Sequence, residues 1–311
     1  MSIADLPVAQ TTPAGSAPAA VETPLRRFLS EYFESPVATA ALVVLALIVV
    51  LAVTAPWTVP QNPYDLAQVD IMDARLPPGT KSSSGTYTHW LGTDGAGRDL
   101  VSAMLYGLRI SLFVGAMSGV IAMVLGASVG LIAAYVGGRV ESLIMRVVDL
   151  QLSFPAILLA LMLIAVLGKG VDKIIIALVT VQWAYYARTV RGSALVERRK
   201  EYVEAARCLG LSNARIVFRH ILPNCLPPLI VVATVQTAHA IALEATLSFL
   251  GVGLPQTEPS LGLLISNGFE YMLSGKYWIS FFPGIVLLAT IMAINLVGDR
   301  LRDVLNPRLE R

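Results

Sequence analysis

Side chains able to serve as nucleophiles, metal ligands or phosphate cradles are few in this 311-residue chain, and none stands in a complete set. Cys208 and Cys225 are its only cysteines, with no disulfide framework and no metal-ligand spacing. The segment LGTDGAGRD (91–99) sets Asp94 and Asp99 among glycines, too few carboxylates for an EF-hand calcium loop. No G-x-x-x-x-G-K-[ST] phosphate loop occurs; Gly168-Lys169-Gly170 lacks both the upstream glycine and the following hydroxyl. Ala116-Met117-Ser118-Gly119, with His239 on a separate apolar stretch, is the nearest approach to an intramembrane serine protease, and its first glycine is an alanine. The other ionisable groups in apolar surroundings read as structural. Asp149 follows Arg146 by three residues, so the two can pair on one helix face at the inner boundary. Glu244 lies 18 residues beyond Leu226, about 27 Å along a helix, which puts it near the outer surface. His239 fits a hydrogen bond to a neighbouring helix better than a metal. Asn295, Asp299 and Arg300 close the last apolar run and are expected to knit its end together.

One segment has the makings of a coupling element. Arg188 to Pro223 reads RTVRGSALVERRKEYVEAARCLGLSNARIVFRHILP. Good helix formers run from Val196 to Leu209, Gly210 interrupts, Ser212 is placed as an N-cap, and a second helical stretch follows to Pro223. Gly210 can take a left-handed conformation without a Cβ clash, giving two short helices in an elbow of fixed shape. On spacing alone, such an elbow suits docking against another protein and equally suits a basic hairpin held by anionic lipid.

The elements that carry these residues follow from composition. The chain is 55% apolar and 14% charged, against about 25% charged residues in soluble domains, and its mean hydropathy is +0.68. It reads as a membrane protein. Its 23 basic and 21 acidic residues nearly cancel, which argues against a nucleic-acid partner. Uncharged runs predict six transmembrane helices: Val37–Ala55, the stretch between Arg109 and Arg139, Leu150–Gly168, the 14 residues between Lys173 and Arg188, a long run from His220 to Gln256, and Tyr277–Gly298. Sixteen of the 23 basic residues fall on the side that holds both termini and the elbow, so that side is cytoplasmic. Residues 1–35 form a disordered cytoplasmic tail, 36–108 the first helix and a long outer loop, 109–298 the helical core, and 299–311 a cytoplasmic tail. GLLISNGFEYML in the second outer loop (251–276) is expected to form a short helix against the bundle. Gly115-x-x-x-Gly119 and Gly126-x-x-x-Gly130 have the spacing that lets membrane helices approach closely. An ion-coupled carrier would need carboxylates at the midplane, and Glu244, the only deep one, is off-centre.

The stretch EYVEAARCLGLSNARIVFRHILPN resembles the EAA loop of ABC-importer permeases, with Glu204, Ala205, Ala206, Gly210, Leu222 and Pro223 at the family's positions. His220 stands where that family usually has isoleucine. LGTDGAGRDLVSAMLYGLRISL (91–112), RVVDLQLSFPAILLAL (146–161), EATLSFLGVG (244–253) and NLVGDRLRDVLNPRL (295–309) are similar to segments of the second of the two permeases in the dipeptide, oligopeptide and nickel branch. The resemblance spans about residues 35–310. It implies a type I importer permease bundle in a bacterial cytoplasmic membrane, with no catalysis of its own and no cofactor bound. ATP and Mg would sit on two partner ATPase subunits. A second permease subunit, making a heterodimer, and an extracytoplasmic solute-binding protein complete the implied assembly, embedded in membrane lipid. Under it, Glu204 is the polar contact to an ATPase, Ala205 and Ala206 allow close approach, Gly210 sets the bend, and Pro223 ends the second elbow helix. Arg146, Asp149, Glu244 and Asp299 are structural or gate residues. The substrate it implies is a di- or oligopeptide, with nickel or another small solute as the alternative.

Overall fold

The computed structural model describes residues 23–65, 67–258 and 260–305 of the chain and is built almost wholly of helices. α1 (Pro24–Phe33) leads through Ser35, whose hydroxyl accepts from the Ala38 N–H, into α2 (Pro36–Thr58). An outer segment follows, with a small antiparallel ribbon of β1 (Thr80–Lys81) and β2 (Thr88–His89). α3 (Leu100–Val136) is the axis of the bundle and is followed by α4 (Gly138–Ser153), α5 (Ala156–Leu167) and α6 (Val171–Glu197). The elbow comprises α7 (Glu201–Cys208) and the short α8 (Asn213–Arg215). α9 (Leu222–Phe249), α10 (Leu261–Phe269) and α11 (Trp278–Val304) complete the chain.

Four helical stretches are long and apolar enough to cross a membrane singly: Pro36–Thr58, Leu100–Val136, Asn213–Phe249 and Trp278–Val304. The expected third span is broken. Pro155 has no N–H and forces Phe154 into extended backbone (φ −85, ψ 138), so α4 and α5 meet at 91°. Counted as one, this bent pair is a fifth crossing. The fourth expected span, α6, is 27 residues long, but its central uncharged run is too short for it to qualify by composition. Length and hydropathy therefore give four or five spans among the described residues, where the uncharged runs gave six.

Three boundaries also move. α3 begins at Leu100, ahead of the predicted Arg109, because Asp99 caps it by accepting from the Ser102 N–H and hydroxyl. Residues 24–33, assigned to a disordered tail, form α1, pinned by the Arg300 guanidinium donating to the Glu31 and Tyr32 carbonyls. α11 runs on to Val304, past the expected start of the C-terminal tail. The rest of both predicted tails, 1–22 and 306–311, lies outside the described residues. α10 starts one residue ahead of GLLISNGFEYML and covers it as far as Phe269, with Ser260 as its cap.

Glycine sets the central seams. A Cβ on Gly126 would stand 2.3 Å from the Trp183 carbonyl oxygen, and one on Gly130 2.5 Å from that of Ala187, so α3 meets α6 backbone to backbone. Gly115 and Gly119 face α9, against Ile241 and Thr237. Helices that touch this closely maximise van der Waals contact where no hydrophobic effect drives association.

Candidate functional site: the cytoplasmic elbow and two cavities

The elbow is locked to the bundle from below. Val203, Ala206, Ile216 and Ile221 are buried with Leu131 and Ala134 of α3 and Val190 and Ala194 of α6. Polar contacts fix the same joint. Arg198 Nη1 donates 2.7 Å to the Ala134 carbonyl, an unpaired acceptor at the C-terminal end of α3. The guanidinium carbons of Arg198 and Arg207 lie 5.9 and 5.8 Å from the Tyr135 ring centre, and the Tyr135 hydroxyl donates 2.5 Å to Asn213 Oδ1. On the opposite side Tyr202 donates 2.6 Å to Glu197, which also accepts from Lys200. Partial burial and the Glu197 carboxylate push the Tyr202 phenol up to about 12. Burial works against ionisation of Glu197, yet the Lys200 and Tyr202 bonds outweigh it and hold its carboxyl below the usual range.

Gly210 supplies the bend, at φ +71, with open space where a Cβ would be. Ser212 caps the next turn, accepting from the Arg215 N–H. Beyond it the structure departs from the predicted stop at Pro223. Residues Ile216–Ile221 form a π-helical turn, and Leu222 N–H bonds to the Val217 carbonyl. The wider turn makes room for a proline ring in the first turn of α9, where no N–H is missed. Pro223 thus joins the elbow to the fifth span.

The predicted docking residues divide. Glu204, Ala205, Gly210 and Pro223 are exposed on the elbow, Leu222 is half-buried, and Ala206 is buried against the bundle. Ala206 therefore does not offer a surface for close approach: its methyl fills the joint beneath α7. Sequence reading missed Leu209 and Phe218, which are 79% and 65% exposed on the same elbow. Their signal was present as two large apolar residues in the most basic stretch of the chain.

Two cavities flank the bundle's core. The inner one, about 950 Å³, is lined by α6, α9 and α11, including Tyr185, Pro228, Gln236, His239, Asp299 and Arg302. His239 is exposed to this space, in contrast to the interhelical hydrogen bond expected of it. Asp299 likewise lines the cavity, and the knitting expected of it falls to Arg300. The outer cavity, about 890 Å³, lies among α2, α3, α9 and α11.

The remaining predicted residues sit away from both. Asp149 pairs with Arg188 of α6 and not with Arg146, which is exposed on α4. An arginine N-terminal to an aspartate is the weaker helical order, and α4 packs along α6, which brings Arg188 within reach. Glu244 is fully buried, accepting 2.8 Å from Ser111 of α3 and 2.8 Å from Ser248. Ser118 spends its hydroxyl on the Val114 and Gly115 carbonyls of its own helix. No group of three or more His, Cys, Asp or Glu that could hold a metal occurs among the described residues.

Comparison with known proteins shows the family to which this helical bundle belongs. Residues 126–311 match the model of the binding-protein-dependent transport system inner membrane component, and residues 23–78 that of the N-terminal transmembrane domain of oligopeptide transport permease C. The chain belongs to the binding-protein-dependent transport permease family. As a member of that family it is the permease subunit of an ABC importer and resides in the membrane. A putative peptide transport system permease of Brucella suis is 45% identical over 86% of this chain and 87% of its own. The dipeptide transport system permease of Escherichia coli is 40% identical over 93% and 95%. The di/tripeptide permease of Pseudomonas aeruginosa is 36% identical over 93% of each. In fold, the permease resembles a chain of the inward-facing MetNI methionine ABC transporter, with TM-score 0.54 and 22% identity over 66% of this chain and 96% of that one.

Proposed function

We propose that this permease carries di- or oligopeptides into the cytoplasm by alternating access. Two partner ATPase subunits drive it, holding ATP and Mg that this chain does not bind. The pathway is completed by a second, different permease, and an extracytoplasmic solute-binding protein delivers the peptide. Peptide as substrate is supported by the names of the relatives quoted above, which cover nearly the whole chain.

The observation that carries the coupling is the elbow. It projects Glu204, Ala205 and the apolar Leu209 and Phe218 while its underside is fixed to α3, α6 and α9. A partner that grips this knob and moves it transmits the displacement to three helices. Glu204 is the polar contact, Leu209 and Phe218 fill an apolar groove, and Gly210 and Ser212 hold the shape. The test is ATP-dependent uptake in membranes that retain the assembled complex. Glu204→Arg and Gly210→Pro are each expected to abolish uptake. Intact uptake in either variant would remove the elbow from the coupling path.

A further inference from the structure

The outer cavity has apolar walls, with Leu45 and Val49 of α2, Phe113 of α3 and Ile294 of α11 among them, and two opposite charges in its lining. Arg109 lies nine residues into α3, is exposed, and makes no ion pair or hydrogen bond among the described residues. Glu258 comes from the second outer loop, and its Oε2 is buried with no hydrogen-bond donor among the described residues. A buried carboxylate oxygen without a donor is an unfavourable state that a ligand can relieve. Tyr64 and Tyr106 stand with them, ring centres 5.2 Å apart and edge to face. Burial raises the Tyr64 phenol above its ordinary range, the Glu258 charge raises it further, and the Arg109 charge opposes this, so both charged groups act on one spot.

An unsatisfied anion and a free cation over an apolar space of about 890 Å³ define a ligand with two charged ends and an apolar body. The volume is within the roughly 300–1,000 Å³ of small-ligand pockets. We propose that this is a transit subsite for a zwitterionic peptide, with the α-ammonium on Glu258, the α-carboxylate on the Arg109 fork, and side chains against the aliphatic wall. The proposal rests on the peptide reading above and adds which groups of this chain touch the cargo. It also gives the two ends of the peptide different partners, so a peptide blocked at either terminus loses one contact.

The experiment uses the whole complex, with binding protein, both permeases and both ATPases, in proteoliposomes, and radiolabelled Ala-Phe as the probe. Peptide carried per ATP hydrolysed should fall roughly tenfold in Glu258→Gln and again in Arg109→Gln, the scale of one charge-assisted hydrogen bond lost. The exchange variant Glu258→Arg/Arg109→Glu should carry more than either single variant, because a peptide can enter it reversed. Undiminished transport per ATP in both single variants overturns the subsite. So does failure of either single variant to co-purify with the second permease, which would make the cavity a seat for that protein. A wild-type complex that hydrolyses ATP in response to its binding protein but carries no peptide defeats the peptide reading instead, and the two failures are thereby distinct.

Discussion

Glu244 shows how one ionisable residue is tolerated deep in an apolar bundle. Each carboxylate oxygen accepts from a serine hydroxyl, Ser111 on α3 and Ser248 one turn along α9, so the group ties two helices together. Replacing it with alanine leaves two buried hydroxyls unmet and opens a void. Glu244→Ala should destabilise the folded permease by about 2–4 kcal/mol, whereas Glu244→Gln keeps one acceptor oxygen and should cost about half as much. Thermal unfolding of the detergent-solubilised complex, compared across the two variants, reads this difference. The position of Glu244 near the outer end was legible from counting residues along the span. Its serine partners were not, because Ser111 is 133 positions away and nothing local marks the contact. The same limit explains Asp149: Arg146 is its neighbour in sequence, while Arg188 is its neighbour in space.

At the scale of elements, the pattern of charge-free runs located the spans well and their breaks poorly. Val37–Ala55 and Tyr277–Gly298 lie within α2 and α11 but for a terminal residue, since an uncharged run between breakers is a direct consequence of the membrane solvent. Hydropathy has no term for direction, so Leu150–Gly168 read as one helix although Pro155 turns it through 91°. The proline at 223 was read the opposite way, as a stop, because a π turn that accommodates it leaves no sequence mark. Glycine spacing was more informative, and the α3–α6 seam it forms gives a clean test. Gly126→Ala must push aside the Trp183 carbonyl, 2.3 Å from the new methyl, whereas Gly192→Ala on α6 meets nothing within 4 Å. Overpacking at the first should cost about 1–3 kcal/mol, while the second should gain up to about 1 kcal/mol from helix propensity. Yield of monodisperse complex and its melting temperature should fall for Gly126→Ala and hold or rise for Gly192→Ala.

For the whole molecule, the low charge count and the one-sided basic residues describe a body that is nearly all membrane bundle, with one rigid handle on the cytoplasmic side. The G-x-x-x-x-G-K-[ST] phosphate-loop pattern does not occur in its sequence. In the proposed mechanism its work is to convert a pull on the elbow into a change of access between the outer and inner cavities. That account requires an external motor. The most direct test reconstitutes the permease pair in proteoliposomes with and without the ATPase subunits, supplies loaded binding protein, and imposes a proton or sodium gradient in both preparations. Uptake of labelled dipeptide should appear only where the ATPases and hydrolysable ATP are present, whatever the gradient. Uptake that persists without the ATPases and follows the ion gradient would contradict the account at its centre.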